Sequence, residues 1–181
     1  MSNLIIKNNA PQSLQSSLSK MLESRTTEQG YTLLLCDTSG SMGETAKGRR
    51  KIETLAETVN KLIKKHRCKL IAFSNSAKLV SELKPHASGG TDMAAALRLA
   101  ATQRCISKTI VISDGYPDDA QAALIEARKL VSPICCIYIG PGEDEGYKFL
   151  CELARLGKGQ ASYTGNDTNL IEQKINLLLT A

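Results

Sequence analysis

The stretch YTLLLCDTSGSMG, residues 31–43, joins a continuous apolar run to a loop of acidic, hydroxyl and glycine residues. Residues 31–36 have the length of one strand, and an apolar run without alternation is typical of a strand covered on both faces of a parallel sheet. Asp37, Ser39 and Ser41 follow at once in the pattern D-x-S-x-S, and the neighbouring glycines permit a tight turn. One carboxylate and two hydroxyls are therefore expected at the carboxyl end of a central strand, where open α/β sheets bind ligands.

Two later phrases carry matching side chains. GGTD, residues 89–92, places Thr91 after two glycines that let the backbone come close, and ISDG, residues 112–115, places Asp114 at the end of another apolar strand. Hydroxyls are neutral oxygen donors that suit a hard cation such as Mg²⁺, at about 2.1 Å. The sequence predicts one metal site, built from Asp37, Ser39, Ser41, Thr91 and Asp114.

Hydrophobic periodicity predicts strands that alternate with helices. The link between the second and third strands has only three residues, 74–76, so it favours an antiparallel hairpin with 77–83 at the sheet edge. The expected fold is α/β and Rossmann-like: a doubly wound, mostly parallel sheet of about six strands, with one antiparallel edge strand and helices on both faces. The predicted strands are 31–36, 68–73, 77–83, 108–113, 133–139 and 160–163, and the predicted helices are 52–63, 93–103, 119–131, 143–157 and 166–179.

The length of 181 residues suits a single domain. We predict a domain over residues 29–181, preceded by an extension, 1–28, whose short helix opens at Pro11 and packs on the domain. No apolar run approaches the ~20 residues that span a bilayer, and the N-terminus does not resemble a secretory signal. These features predict a cytoplasmic protein without membrane contact.

The six cysteines are read as small buried hydrophobes. They form no C-x-x-C pair and only two histidines accompany them, so a zinc site is not favoured. Cys135 and Cys136 are adjacent on a predicted strand and should point to opposite faces of the sheet.

The net charge of +5 is unevenly distributed. Residues 47–69 contain nine basic and two acidic residues, which gives this segment alone a charge of +7. Such a segment is either a surface for an acidic partner or nucleic acid, or the solvated side of an ordinary helix. The sequence leaves both readings open.

The three phrases together resemble the von Willebrand factor A (vWA) domain and its metal-ion-dependent adhesion site, over about residues 30–179. The resemblance implies that Ser39 and Ser41 bind the metal directly and that Thr91 binds directly or through water. It implies that Asp37 and Asp114 act through water or through hydrogen bonds that orient the other ligands. The implied ion is Mg²⁺ or Mn²⁺, with Ca²⁺ as an alternative.

The resemblance also implies a function in protein–protein interaction. A metal held by neutral hydroxyls keeps an open position that an Asp or Glu of a partner can fill. The sequence is similar to intracellular members of bacterial or phage type, which implies an adaptor or subunit of a larger assembly, such as one built around an AAA+ ATPase.

Two other functions are compatible with parts of this sequence. The first is electrostatic nucleic-acid binding by residues 47–69. The second is a metal-dependent hydrolase, for which a second acid is expected at position 39, where the chain has serine. No nucleophile and base are placed together by the sequence, so we predict that the protein is not an enzyme.

Overall fold

The computed structural model describes residues 30–165, 167 and 169–180. The predicted extension, residues 1–28, and residue 29 of the predicted domain lie outside the described residues. The strands are β1 (Tyr31–Asp37), β2 (Thr45–Ala46), β3 (Arg49–Arg50), β4 (Cys68–Phe73), β5 (Ala77–Val80), β6 (Ile106–Ser113), β7 (Ile134–Tyr138) and β8 (Lys158–Tyr163). The helices are α1 (Lys51–Leu62), α2 (Met93–Ala101), α3 (Ala120–Ala127), α4 (Glu145–Leu156) and α5 (Leu170–Thr180).

Six of these strands form one sheet in the order β5-β4-β1-β6-β7-β8. All neighbouring strands are parallel except β5, which is antiparallel to β4 at the edge. The chain goes from β1 outward to β4 and β5, and later returns to the other side of β1 to form β6. This confirms the predicted fold class and the antiparallel edge strand, although that strand ends at Val80 and not at residue 83.

Both faces of the sheet are covered, and the middle of each inner strand is apolar and buried, at residues 33–36, 70–73, 110–112 and 134–137. Leu33 and Leu35 of β1 belong to the core cluster that includes α2, α3 and α4, whereas Leu34 and Cys36 belong to the cluster that includes α1 and α5. All four side chains are fully buried. Each buried aliphatic side chain stabilises the fold by about 1.5–3 kcal/mol, so β1 is anchored from both sides and holds the loop that follows it.

Three of the six cysteines, Cys36, Cys135 and Cys136, are buried as the sequence predicts, whereas Cys68 and Cys151 are half-buried and Cys105 is exposed. Cys135 and Cys136 fall in different core clusters, on opposite faces of β7. The six cysteines are free thiols. Burial raises the pKa of Cys136 well above its ordinary value, which keeps this thiol protonated.

Two local features differ from the prediction. Residues 45–50 form a hairpin, β2–β3, whose two-residue turn has positive φ at Lys47 (51°) and Gly48 (84°), as a type I′ turn requires. The predicted helix 119–131 ends at Ala127, and Val131 is fully exposed. Turns follow the helix, in which the amides of Lys129 and Leu130 donate to the carbonyls of Glu126 and Ala127. Pro133 then restricts Ser132 to extended conformations just before β7 starts at Ile134. Among the described residues no helix is long and apolar enough to cross a membrane.

Candidate metal centre

Four of the five predicted site residues lie at or just after the carboxyl ends of β1 and β6, which are neighbours at the centre of the sheet. Thr91 lies just before α2. Asp37 is the last residue of β1, and Asp114 follows the last residue of β6. The chain leaves β1 toward one edge of the sheet and β6 toward the other. A crevice forms where connections diverge in this way, and it is the usual ligand site of a doubly wound sheet.

The first loop is held by a buried methionine. After Ser39 the chain makes a short 3₁₀ helix, Gly40–Gly43, in which Met42 is fully buried in the cluster of α1 and α5. The amide of Gly40 donates to the carbonyl of Gly89 at 2.9 Å, so the first loop also contacts the loop that carries Thr91. The two serines are thus presented by a loop fixed at both ends.

A chain of hydrogen bonds joins four of the five predicted residues. The Oγ atoms of Ser39 and Ser41 are 3.1 Å apart, and Ser41 Oγ donates to Asp114 Oδ1 at 2.7 Å. The amide of Ser39 donates to Asp37 Oδ1 at 2.7 Å. Because Ser41 donates its only hydroxyl hydrogen to Asp114, Ser39 donates to Ser41, and each hydroxyl oxygen keeps at least one lone pair outside these contacts.

Asp37 lies behind the hydroxyls and is fully buried. Its second oxygen, Oδ2, accepts from Ser113 Oγ at 2.5 Å, so both carboxylate oxygens already have protein donors. Burial raises the pKa of Asp37 to about 6, although the hydrogen bonds from Ser113 and Ser39 work in the opposite direction. This arrangement favours an orienting role for Asp37 over direct contact with a metal.

Thr91 is placed by two polar side chains from other loops. Its amide donates to Asp118 Oδ2 at 2.8 Å, and the amide of Gly90 donates to Asn75 Oδ1 at 2.5 Å. Thr91 Oγ1 and Ser41 Oγ both lie within 4 Å of the point that a Cβ on Gly115 would occupy. The absence of a side chain at Gly115 therefore leaves space that two of the hydroxyls face together.

Lys51, the first residue of α1, enters the site from the side of the hairpin. Its Nζ donates to Asp114 Oδ2 at 2.7 Å and to Glu44 Oε2 at 2.8 Å. The Lys51 side chain is 16% exposed and that of Asp114 is fully buried. Burial opposes the charged form of Lys51, but the hydrogen bonds to Asp114 and Glu44 outweigh it and the pKa is raised.

The oxygen atoms at the site suit a hard divalent ion, and those available to bind it are mainly hydroxyl oxygens and not carboxylate oxygens. Among the described residues, no three His, Cys, Asp or Glu side chains are grouped to hold a metal. The candidate donors are the hydroxyls of Ser39, Ser41 and Thr91, with two buried carboxylates beside them. Oxygen-only donors of this kind suit Mg²⁺ or Mn²⁺ and do not suit zinc.

Comparison with protein families decides the class of the domain. The sequence profile described as von Willebrand factor type A domain matches residues 72–163. The chain belongs to this family. vWA domains generally mediate protein–protein interactions and often bind a divalent metal. Comparison with curated proteins gave no match.

The structure of this vWA domain brings together residues that sequence reasoning named and others that it missed. Asp37, Ser39, Ser41 and Asp114 are directly linked, and Thr91 faces the same space across Gly115. The supporting residues that the sequence did not single out are Asn75, Ser113, Asp118 and, above all, Lys51. Ser113 lies within the quoted phrase ISDG and Asp118 lies three residues after it, but nothing in the basic segment distinguishes Lys51 from its neighbours.

Gly90→Ala is expected to weaken Mn²⁺ binding about tenfold without changing any hydroxyl or carboxylate donor. A Cβ on residue 90 would lie 2.5 Å from Asp118 Oδ2, so the carboxylate must move away and release the amide of Thr91. Titration calorimetry with MnCl₂ measures the effect. Asp118→Ala removes the same anchor without adding a methyl group and should weaken binding to a similar extent. Unchanged Mn²⁺ affinity in both variants would show that Thr91 does not depend on this anchor.

Proposed function

We propose that this vWA domain is a metal-dependent protein-interaction module that binds an Asp or Glu side chain of a partner protein. Ser39, Ser41 and Thr91 would hold Mg²⁺ or Mn²⁺, and the ion would supply a Lewis-acidic position for the partner's carboxylate. The observation that carries the proposal is that the hydroxyls of Ser41 and Thr91 face one space beside Gly115, with Ser39 Oγ 3.1 Å from Ser41 Oγ and with the buried carboxylates of Asp37 and Asp114 bonded to this group.

The charge balance explains why such a site would need a partner. Both oxygens of Asp37 accept hydrogen bonds from Ser39 and Ser113, and both oxygens of Asp114 accept from Ser41 and Lys51. The remaining donors to a metal are neutral hydroxyls, so a divalent charge would stay poorly compensated. A carboxylate from outside is the natural complement to that charge.

Metal binding is tested by thermal unfolding and calorimetry with MgCl₂ and MnCl₂. The wild-type protein should be stabilised by the ion, because a ligand at about 100 times its Kd adds about 2.7 kcal/mol to the free energy of unfolding. Asp37→Ala should lose this response, since the backbone of Ser39 loses its acceptor. Ser81→Ala, an exposed serine after β5, is the control and should respond as wild type. Equal metal binding by wild type and Asp37→Ala would refute the assignment.

Partner capture from cell extract gives the second test of this function. A protein retained in Mg²⁺ and released by EDTA fits a metal-bridged contact. Release by salt alone, with no effect of EDTA, would indicate an ionic contact elsewhere on the domain. An assembly with an AAA+ ATPase remains a proposal of the same kind, and the captured partner would identify it.

The basic segment supports nucleic-acid binding less than its charge suggests. Five of its nine basic residues form ion pairs with carboxylates: Lys47, Arg49, Arg50, Lys51 and Lys61. The other four lie between the end of α1 and the first residues of β4, near the amino ends of the parallel strands, whereas the hydroxyls lie at the carboxyl ends. They are Lys64, Lys65, Arg67 and Lys69. We therefore rank electrostatic nucleic-acid binding second, and its sign would be a steep loss of binding with salt.

A hydrolytic function has less support. His86 is exposed in the connection between β5 and α2. His66 follows α1 near the amino ends of the parallel strands, whereas Ser39 lies at their carboxyl ends. Neither is hydrogen-bonded to a serine of the site among the contacts of the described residues. We propose that the domain binds and does not catalyse.

A further inference from the structure

Lys51 occupies a place that local energetics do not favour. It is the first residue of α1, where the helix dipole disfavours a positive charge. Its side chain is also mostly buried, with 16% exposed. A residue that breaks a local rule and is held by specific partners is a functional candidate. The partners here are a site carboxylate, Asp114, and the exposed Glu44.

The β2–β3 hairpin delivers Lys51 to the site. The amide of Lys51 donates to the carbonyl of Glu44 at 3.0 Å, which closes the hairpin at its base. The side chains of the same two residues form an ion pair at 2.8 Å. Lys51 is therefore fixed by the backbone and by two carboxylates, and its position does not depend on a flexible stem alone.

The contact occupies the oxygen of Asp114 that Ser41 leaves free. Ser41 Oγ donates to Oδ1 and Lys51 Nζ donates to Oδ2, each at 2.7 Å. Asp114 is thereby restrained from turning toward the space shared by Ser41 and Thr91. A carboxylate held in this way can orient a hydroxyl but is hindered from binding a metal directly.

We propose that Lys51 is a positioning residue that keeps Asp114 out of direct metal coordination, and so keeps a coordination position and positive charge available for the partner's carboxylate. This inference rests on the proposed function. Lys51 then has two opposite effects. It weakens metal binding by the domain alone, and it strengthens the binding of an external carboxylate to the metal-loaded domain.

The test compares wild type with Lys51→Met, which removes the ammonium and keeps an apolar stem of similar length. Calorimetry with MnCl₂ should show at least about tenfold tighter binding to the variant. Water-proton relaxation of the Mn²⁺-loaded proteins counts exchangeable water on the ion, and the variant should hold fewer waters because Asp114 takes a position. The second variant, Lys51→Gln, removes the charge but keeps a hydrogen-bond donor, and it serves if Lys51→Met does not fold.

Lys61→Met is the matched control. Lys61 lies on the same helix, its side chain is 54% exposed, and it pairs with Glu57. The substitution therefore changes the net charge by the same amount but away from the site. Its Mn²⁺ affinity and water count should equal those of wild type. Equal tightening in Lys61→Met, or an unchanged Kd and water count in Lys51→Met, would overturn the inference while leaving the proposed function in place. Failure of wild type and both Lys51 variants to bind Mn²⁺ would overturn both.

Discussion

The metal-free Asp37→Asn variant is expected to be more stable than wild type at pH 7.5, by about 2–3 kcal/mol in the free energy of unfolding. Asp37 is fully buried, and its pKa is raised from 3.8 to about 6 by burial. At pH 7.5 the folded protein therefore carries an ionised carboxylate that it would hold more favourably as the acid. An amide has nearly the same shape and no charge, and its oxygen can still accept from the amide of Ser39.

The pH dependence has a definite sign. The folded protein binds the Asp37 proton more tightly than the unfolded chain, so this group stabilises the wild type as the pH falls from above 6 to below 4. The advantage of Asp37→Asn should shrink over the same range and vanish near pH 4. Urea unfolding in EDTA at several pH values measures both curves.

The control for this experiment is Asp119→Asn. Asp119 is an exposed helix cap whose side chain accepts from the amide of Ala122, and asparagine caps equally well. Its stability should stay within about 0.5 kcal/mol of wild type. MnCl₂ at about 1,000 times the wild-type Kd adds about 4.1 kcal/mol to the free energy of unfolding of the wild type. It should therefore reverse the order of the two proteins, because only the wild type keeps a negative charge close to the hydroxyl ligands. A variant that is less stable than wild type at pH 7.5 in EDTA would contradict the expectation.

Gly159→Ala is expected to lower the free energy of unfolding by about 3 kcal/mol, beyond the usual cost of one added methyl group. A Cβ on residue 159 would lie 2.1 Å from the carbonyl oxygen of Ile134 and 2.6 Å from its carbon. Both are backbone atoms of the paired strand, so neither can rotate away. The register of β7 and β8 shifts between Ile134 and Cys136, and Gly159 lies in the resulting bulge.

Thermal unfolding should show the effect as a fall in Tm of about 6–12 °C for a domain of this size. Gly43→Ala is the matched control, because its Cβ would meet Ala87 Cβ at an ordinary 3.5 Å. The Mn²⁺ affinity of Gly159→Ala should equal that of wild type below its Tm, since β8 is three strands away from β1. A Tm within 2 °C of wild type would mean that β8 can move away from β7 without a loss of stability.

Much of the fold could be predicted because its signals are local. The apolar run before Asp37, the three-residue link before Ala77 and the glycine at 157 each act through neighbours in the chain. Two short features could not be predicted. The turn at Lys47 and Gly48 has a lysine where positive φ usually selects asparagine or glycine. The hydrophobic periodicity predicts that α3 continues to Val131, because periodicity does not reveal where a helix must end to meet the next strand.

For the site, too, some features could be predicted from the sequence and others could not. The sequence by itself determined the hydroxyls and carboxylates of Asp37, Ser39, Ser41, Thr91 and Asp114, because each follows a strand or opens a helix and such ends converge on one edge of a parallel sheet. Tertiary structure alone decided which distant side chains contact them. Lys51 stands 63 residues before Asp114, and only the packing of α1 against the sheet and the closure of the hairpin bring its ammonium onto that carboxylate. Charge partners far apart in the chain leave no periodic signal, because their contact is a property of the folded surface and not of neighbouring residues.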